Sequence, residues 1–325
     1  MRIPWLTLAC DVNTSRSSMK LESVSIWLAT AWLSLLALPA NAEWRLAWSD
    51  EFNGAIIDTN HWSFDTGNGL PGMPGWGNNE LEYYRPENAS VSNGVLRIVA
   101  RAEDFGGQHY TSAKLKSRGF FSQAGGRFEF RARLPQGKGY WPALWLMPEN
   151  ATYGRWAASG EIDVMENRGR DPGTVLGTLH FGGAFPKNTH SRGPSFNFPP
   201  GDSVTNFHIY AVEWATNSIK WYVDSTLYEV QTNWWSSGGK YPAPFNQPFY
   251  ILMNLAVGGN FGGDPDTNTV FPGEMQVDYV RVYKQVPAPE TTPTLKTDLG
   301  SVGQANSDAD SSSISGKNLL KVKAP

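Results

Sequence analysis

The sequence predicts an all-β fold, a jelly-roll β-sandwich of two antiparallel sheets with a concave cleft. Three observations support this prediction. The 325 residues include 33 Gly and 22 Pro, and 13% are aromatic, a balance typical of many short strands joined by turns. Between about residues 43 and 284, short segments alternate apolar and polar side chains, as half-buried strands do. The same span contains no long amphipathic helical pattern.

The first 42 residues predict a secretory signal region. Lys20 precedes an apolar run from Ile26 to Leu38, and Ala40-Asn41-Ala42 forms a small-x-small cleavage site. This pattern indicates a signal peptide at 19–42, cleaved after Ala42. The apolar run is short for a transmembrane helix. We therefore expect a secreted, extracellular protein with no stable membrane association after cleavage, whether translation starts at Met1 or at Met19.

Charge and cysteine content exclude several functional classes. The formal net charge is −3, and removal of residues 1–42 makes it −4. The mature chain carries no basic patch, so we expect no nucleic-acid partner. The one cysteine of the sequence, Cys10, lies in the signal region. Its removal excludes a disulfide, a thiol nucleophile and a cysteine zinc site from the mature chain. The sequence also lacks the HExxH and GxSxG patterns of zinc and serine hydrolases.

The strands of the mature chain follow one another as a single domain at 43–285. In "RFEFRARLP", Phe128, Phe130 and Ala132 share one face and charged residues occupy the other. "VLRIVARA", "IKWYVD" and "MQVDYVRVYK" alternate in the same way. After Tyr283 no aromatic residue remains, and residues 286–325 are rich in Pro, Thr, Ser and Asp. This composition predicts a low-complexity disordered tail.

The stretch "GEIDVMEN" at 160–167 places three carboxylates on one predicted strand. Glu161 and Asp163 share a face, whereas the odd offset of Glu166 directs it to the opposite face of a regular strand. Either Glu166 simply faces solvent, or a β-bulge near Val164-Met165 returns it to the face of the other two. In the second case, three like charges share one cleft, which costs stability and separates their pKa values.

A retaining glycosidase needs two carboxyl groups about 5 Å apart, one as nucleophile and one as acid and base. Glu161 and Glu166, brought to one face by a bulge, meet this requirement given the reach of their side chains. The alternative is a solvated acidic strand without catalytic function.

Several motifs resemble those of glycoside hydrolase family 16. "SGEIDVMEN" is similar to the active-site strand of the bulged branch of this family, whose pattern is Glu-x-Asp-x-x-Glu. "WSDEFNG" (48–54), "GWGNNELEYY" (75–84), "GKGYWPALWLMP" (137–148) and "TLHFGG" (178–183) follow in the family's order. "FHIYAVEW" (207–214), "IKWYVD" (219–224) and "VDYVRVY" (277–283) complete a likeness that covers about residues 44–284. Within the family, "GWGNNELEYY" and "RWAASGEIDVMEN" most resemble the laminarinases, which are endo-β-1,3-glucanases.

The resemblance implies a role for each carboxylate. Glu161 would be the nucleophile, Glu166 the general acid and base, and Asp163 the group that tunes the pair by hydrogen bonding. His180 in "TLHFGG" matches a histidine that contacts the sugar or the carboxylates, although a structural role is the alternative for a lone histidine.

Aromatic and polar residues around the predicted cleft supply candidates for sugar binding. Trp141 and Trp145 share a strand face and Trp156 precedes the acidic strand, so we predict indole platforms for sugar rings, with core packing as the alternative. In the loop at 75–85, the resemblance implies sugar contacts for Asn79 and Arg85. Trp76 in the same loop would either stack on a sugar or pack the glycine-rich turn.

Catalysis of this kind requires no cofactor, but the family resemblance implies a structural Ca²⁺ ion away from the cleft. Its ligands would be Asp278 and backbone carbonyls near Glu51 and Gly94. The alternative is that Asp278 faces solvent.

These expectations together predict a monomeric, secreted endo-β-1,3-glucanase whose partner is a polysaccharide, β-1,3-glucan or mixed β-1,3/1,4-glucan. Three alternatives stay open from the sequence. They are a cell-wall glucan transglycosylase, a galactan hydrolase of the same family, and a lectin-like β-glucan-binding protein without catalytic activity.

Overall fold

The computed structural model describes residues 43–287 of the chain. The predicted signal region at 1–42 lies outside the described residues, as does nearly all of the predicted tail. The last strand continues to Val286, one residue past the predicted domain end at 285.

Twenty strands and one short helix make up the described part. In chain order they are β1 (Glu43–Asp50), β2 (Ser63–Asp65), β3 (Gly69–Leu70), β4 (Met73–Pro74), β5 (Glu82–Tyr84), β6 (Ala89–Ser92), β7 (Val95–Phe105), β8 (Gln108–Ser112), β9 (Lys114–Lys116), β10 (Gly126–Arg133), β11 (Tyr140–Pro148), β12 (Glu161–Glu166), β13 (Thr174–Gly182), β14 (Asn188–Ser191), β15 (Phe196–Asn197), β16 (His208–Ala215), β17 (Ser218–Val223), β18 (Thr226–Gln231), β19 (Phe249–Val257), α1 (Gly259–Gly262) and β20 (Gly273–Val286). Two 3₁₀ turns, Gly75–Gly77 and Pro86–Asn88, interrupt the loop before β6.

The strands form two large sheets, which confirms the predicted sandwich. The larger sheet has the order β18-β17-β16-β10-β20-β7-β8-β5, with β1 added beside β20 and β6 beside β7. The smaller sheet has the order β14-β13-β12-β11-β19-β9-β2, with β15 beside β13. Ladders are antiparallel as predicted, except that β5 and β8 run parallel. The hairpin β3-β4 forms a third, two-stranded sheet.

The core lies between the two large sheets and follows the alternation read from the sequence. Phe128, Phe130 and Ala132 on β10 are fully buried, as the pattern predicts. On β19 in the smaller sheet, Met253 and Leu255 join this core, whereas Asn254 lies on the opposite face. That opposite face also bears the side chains of the acidic strand β12, and we call it the site face.

Within residues 43–287, no helix is long and apolar enough to span a bilayer.

Candidate active site

A β-bulge on β12 brings the three predicted carboxylates to the site face. Asp163 pairs with Thr178 of β13, and the next paired residue is Glu166, opposite Leu176. From one pair to the next, β12 advances by three residues and β13 by only two. The extra residue on β12 lies at Val164-Met165. Since Glu161 pairs with His180, all three acids face alternate positions of β13 and share one side of the sheet. The bulge predicted from the odd spacing is confirmed.

A side chain from the core of the sandwich stabilises the bulge. Bulges leave ladder groups unpaired, and a buried carbonyl without a donor is costly. The backbone oxygen of Asp163 accepts a hydrogen bond of 2.8 Å from Nε1 of Trp221, a fully buried residue of β17 in the opposite sheet. Gly177 on β13 makes room for that indole, because a Cβ at this position would overlap Trp221.

Two indole N–H groups hold the outer carboxylates. Trp156 Nε1 donates to Glu161 Oε2 at 2.8 Å, and Trp141 Nε1 donates to Glu166 Oε1 at 3.0 Å. Thr178 Oγ1 lies 3.4 Å from the second oxygen of Glu166. Each acid is therefore oriented by a donor from another element, which restricts the direction in which its free oxygen points.

His180 contacts both Glu161 and Asp163, and its surroundings favour the charged form of its imidazole. Its Nε2 is 3.2 Å from Asp163 Oδ2 and 3.8 Å from Glu161 Oε1. Burial alone would lower the pKa of His180, but the charges of Glu161, Asp163 and Glu166 and the contact with Asp163 raise this pKa to about 10. The imidazolium offsets part of the repulsion among the acids.

The pKa values of Asp163 and Glu166 are both raised. Burial raises the pKa of Asp163 well above its usual range, and the neighbouring Glu166 and Glu161 charges add to this effect. Burial also raises the pKa of Glu166, against the lowering effects of His180, Trp141 and Thr178. The site therefore favours a protonated carboxylic acid beside a second carboxyl group, the arrangement that acid-assisted cleavage of a glycosidic bond uses.

The same cluster is the one place in residues 43–287 where three ligand-type side chains could reach one metal ion. Atoms of Glu161, Asp163 and His180 lie within 4.8 Å of one another. The three side chains also contact one another directly, with 3.2 Å between His180 Nε2 and Asp163 Oδ2.

The structure places the three predicted platform tryptophans near the acids but gives each a polar partner. Trp141 packs on Phe261 with a ring distance of 5.1 Å while it donates to Glu166. Trp145 pairs with Asp163 across the ladder and donates to Asn254 Oδ1 at 2.7 Å. Trp156 is 36% exposed, the most open of the three.

The predicted loop residues Asn79, Trp76 and Arg85 differ in what they contact. Asn79 donates to Asn260 at 2.8 Å, and Gly259 nearby leaves little room for a side chain, because Trp141 and the Asn78 carbonyl lie against it. Asn79 therefore borders the site beside Trp141.

Trp76 lies beyond Trp145, with its ring 5.5 Å from that of Tyr84. Arg85 points elsewhere: it donates to Glu87 at 3.0 Å and stacks on Phe105 at 4.0 Å. The structure does not bring Arg85 to the carboxylates.

Four residues on or next to the site face escaped the sequence interpretation: Thr178, Asn254 and Lys114 on the face itself, and Tyr84, whose hydroxyl accepts a hydrogen bond from Asn254. Strand register carries the first two into place, since Thr178 pairs with Asp163 and Asn254 pairs with Ala143, the neighbour of Glu166. The alternation of β13 around the predicted His180 could have indicated Thr178. Nothing in the local sequence signals the other three.

Strand register brings the three predicted calcium positions to the same part of the larger sheet. β20 pairs with β1 through Val280 and with β7 through Val277. Asp278 therefore lies where the end of β1, near Glu51, meets the start of β7, near Gly94.

The carboxylates in this part of the sheet already have partners. Asp278 Oδ2 accepts from Arg131 at 2.6 Å, and Glu51 accepts two bonds from Arg281, at 2.9 and 2.8 Å. The second oxygen of Asp278 is left as a hard donor, a ligand type that Ca²⁺ accepts.

Comparisons with known proteins agree with this geometry. The sequence model described as glycosyl hydrolases family 16 matches residues 78–281. The chain is 47% identical over 265 residues to glucan endo-1,3-beta-glucosidase A1 of Niallia circulans, a match that covers 76% of this chain but 39% of that protein. It is 44% identical over 264 residues to a beta-glucanase of Rhodothermus marinus, covering 75% of this chain and 86% of the relative.

Among solved structures, the catalytic domain of the Thermotoga maritima laminarinase superimposes with a TM-score of 0.68 at 41% identity. That match covers 75% of this chain and 99% of the other.

Proposed function

Because the chain belongs to glycosyl hydrolase family 16, we propose that it hydrolyses β-1,3-glucan of the laminarin type, or mixed β-1,3/1,4-glucan, with retention of anomeric configuration. One observation carries the proposal. The bulge on β12 places Glu161 and Glu166 on one face of the sheet, each fixed by an indole N–H. The Niallia and Rhodothermus relatives, named as an endo-1,3-beta-glucosidase and a beta-glucanase, support the substrate class.

In the first step, Glu166 gives its proton to the glycosidic oxygen while the carboxylate of Glu161 attacks the anomeric carbon. The carbon–oxygen bond to the leaving sugar breaks, and a glycosyl-enzyme ester forms on Glu161. Burial raises the pKa of Glu166, which favours the protonated form that the acid role requires.

In the second step, the Glu166 carboxylate takes a proton from water, whose oxygen attacks the same carbon and releases Glu161. Asp163 and His180 do not need to touch the reacting bond. Their contact of 3.2 Å holds the imidazole of His180 beside the carboxyl cluster as charge moves between the two glutamates.

The sugar chain lies across the strands of the site face. Trp156, 36% exposed beside Glu161, offers an indole surface to a sugar ring at the cleavage point. Trp145 offers a second surface beside Asp163.

The decisive experiment is incubation with laminarin, lichenan and agarose, followed by product analysis and determination of the anomeric configuration. We expect oligosaccharides from laminarin, with retention. Glu161→Gln and Glu166→Gln should both abolish cleavage while leaving binding intact. Binding of laminarin by the unaltered protein without any cleavage would show a lectin, and products of inverted configuration would exclude Glu161 as nucleophile.

We also propose that the protein is secreted, as the signal pattern at 19–42 indicates, and that it is a monomer. Sequencing of the mature amino terminus should begin at Glu43, and size-exclusion chromatography with light scattering should give one chain per particle.

The calcium site stays a proposal, supported by the strand register that brings Asp278, Glu51 and Gly94 to the same part of the larger sheet, away from the acids. Since an ion bound to the folded state alone stabilises it by mass action, we expect the melting temperature to rise with added Ca²⁺ and to fall with a chelator. Asp278→Asn should remove that response. A melting temperature independent of Ca²⁺ would exclude the ion.

A further inference from the structure

Lys114 is a nearly buried cation held between two indole rings of the site face. Its Nζ lies 4.6 Å from the centre of the Trp76 ring and 4.8 Å from that of Trp145. Its side chain is 10% exposed, and the nearest carboxylate oxygen, on Asp65, is 3.8 Å away. An ammonium group attracts the face of an indole, more strongly where water is excluded. Lys114 therefore links the loop that carries Trp76 to strand β11, which carries Trp145.

A chain of hydrogen bonds holds the edge of the same Trp145 indole. Trp145 Nε1 donates to Asn254 Oδ1 at 2.7 Å, and Asn254 Nδ2 donates to the Tyr84 hydroxyl at 3.0 Å. Tyr84 in turn donates to Glu80 Oε2 at 3.0 Å, and Asn254, Tyr84 and Glu80 are each at most 9% exposed. Such a buried polar chain fixes one orientation when every bond is made.

Strand register gives the distance between this assembly and the reacting bond. Glu166 pairs with Ala143, Ala143 with Asn254, and Asn254 with Lys114. Neighbouring strands are about 4.8 Å apart, so Lys114 lies about 14 Å from Glu166 across the sheet. A sugar bound at the acids does not reach Lys114, whereas a longer chain that crosses the strands does.

We propose that Lys114 is a positioning residue, which fixes the indoles of Trp76 and Trp145 as one binding surface for sugar units distant from the cleavage point. Lys114 lies over the ring of Trp145, which keeps part of its surface exposed for a sugar. The Glu80–Tyr84–Asn254 chain sets the angle of that indole. The inference rests on the proposed function, because the surface matters only for a polysaccharide bound across the site face.

Steady-state kinetics on laminarin and on β-1,3-gluco-oligosaccharides of increasing length test the inference. Lys114→Met keeps the length and packing of the side chain but removes the charge. We expect KM for laminarin and for long oligosaccharides to rise about tenfold, with kcat within about twofold of wild type. The shortest oligosaccharide that is cleaved should show no change. Lys114→Arg keeps the cation and should restore at least half of the lost affinity.

Tyr84→Phe provides an independent variant, since it breaks the hydrogen-bond chain and leaves Lys114 in place. It should raise KM in the same length-dependent way, and it decides the matter if Lys114→Met fails to fold. Lys220→Met is the matched control, because Lys220 lies on β17 in the other sheet and faces away from the core.

Failure of the wild type to cleave any β-1,3-glucan would refute the proposed function itself. Cleavage by wild type with unchanged KM in Lys114→Met and Tyr84→Phe would refute only the positioning role, as would an equal loss of kcat at every substrate length.

Discussion

Replacement of Trp141 by Phe should shift the alkaline limb of the pH–rate profile to higher pH. In the wild type, the indole N–H lies 3.0 Å from Glu166 Oε1 and stabilises the charged form of this carboxyl, which lowers its pKa. Phe retains an aromatic ring against Phe261 but has no donor. Without the bond, the pKa of Glu166 rises further, and the acid keeps its proton to a higher pH.

The hydrogen bond sets the size of the shift. A bond to a charged group contributes about 1.5–3 kcal/mol to stability, and 1.36 kcal/mol corresponds to about one pKa unit. Thr178 still lies 3.4 Å from the other oxygen, and Glu166 is only partly buried, so the lower end of this range applies. We expect an upward shift of about one unit.

The assay is kcat/KM on laminarin from about pH 4 to about pH 9, which reports the ionisation of the free enzyme. Trp145→Phe is the matched control, since that indole donates to Asn254 rather than to an acid. Its limb should stay at the wild-type pH. An unmoved limb in Trp141→Phe, or equal shifts in both variants, would refute the assignment of Glu166 as the acid.

Three further predictions follow from the same contacts. Glu166→Gln should have a higher melting temperature than wild type at neutral pH, and the difference should vanish at about pH 4. The folded state holds the Glu166 proton more tightly than the unfolded chain does, because the pKa of Glu166 is raised. Wild-type stability therefore falls as pH rises above the usual carboxyl range. A gap that is constant with pH, in thermal melts, would contradict this. Gly177→Ala should lower the free energy of unfolding by about 1–3 kcal/mol in urea titrations and reduce activity, because the added methyl group displaces Trp221; wild-type stability would show that the core adapts. Trp156→Phe should reduce kcat by about tenfold or more, since Glu161 loses its 2.8 Å donor, and a change in KM alone would assign Trp156 to sugar binding only.

Alternation explains why so much of the fold was predictable. A strand buried on one face must repeat every two residues, so Phe128 and Phe130 identify their element directly. The same rule made the spacing between Glu161 and Glu166 an anomaly, and a bulge was the one local solution that united the acids. The parallel pairing of β5 with β8 has no such local signature, because it depends on a connection through two other strands, β6 and β7.

The roles of individual side chains were less predictable than their location. Sequence suggested tryptophan platforms, but the edge of each indole also meets a polar group, and only the packed sheet decides which one. Lys114 and Trp145 are distant in sequence and meet through register. Arg85 matched a family position, yet Glu87 and Phe105 hold its guanidinium away from the acids.

The bond from Trp221 to the Asp163 carbonyl also constrains how this chain can evolve. Trp221 lies on the far sheet and contacts no predicted sugar position, so a survey of conservation would class it with ordinary core residues. Substitution of Trp221 would nevertheless disturb the acidic strand β12. A larger residue at Gly177 would be tolerated only with a compensating change at Trp221. In a library of random variants, selection for catalysis alone should therefore retain this pair together, as a covarying unit that spans both sheets.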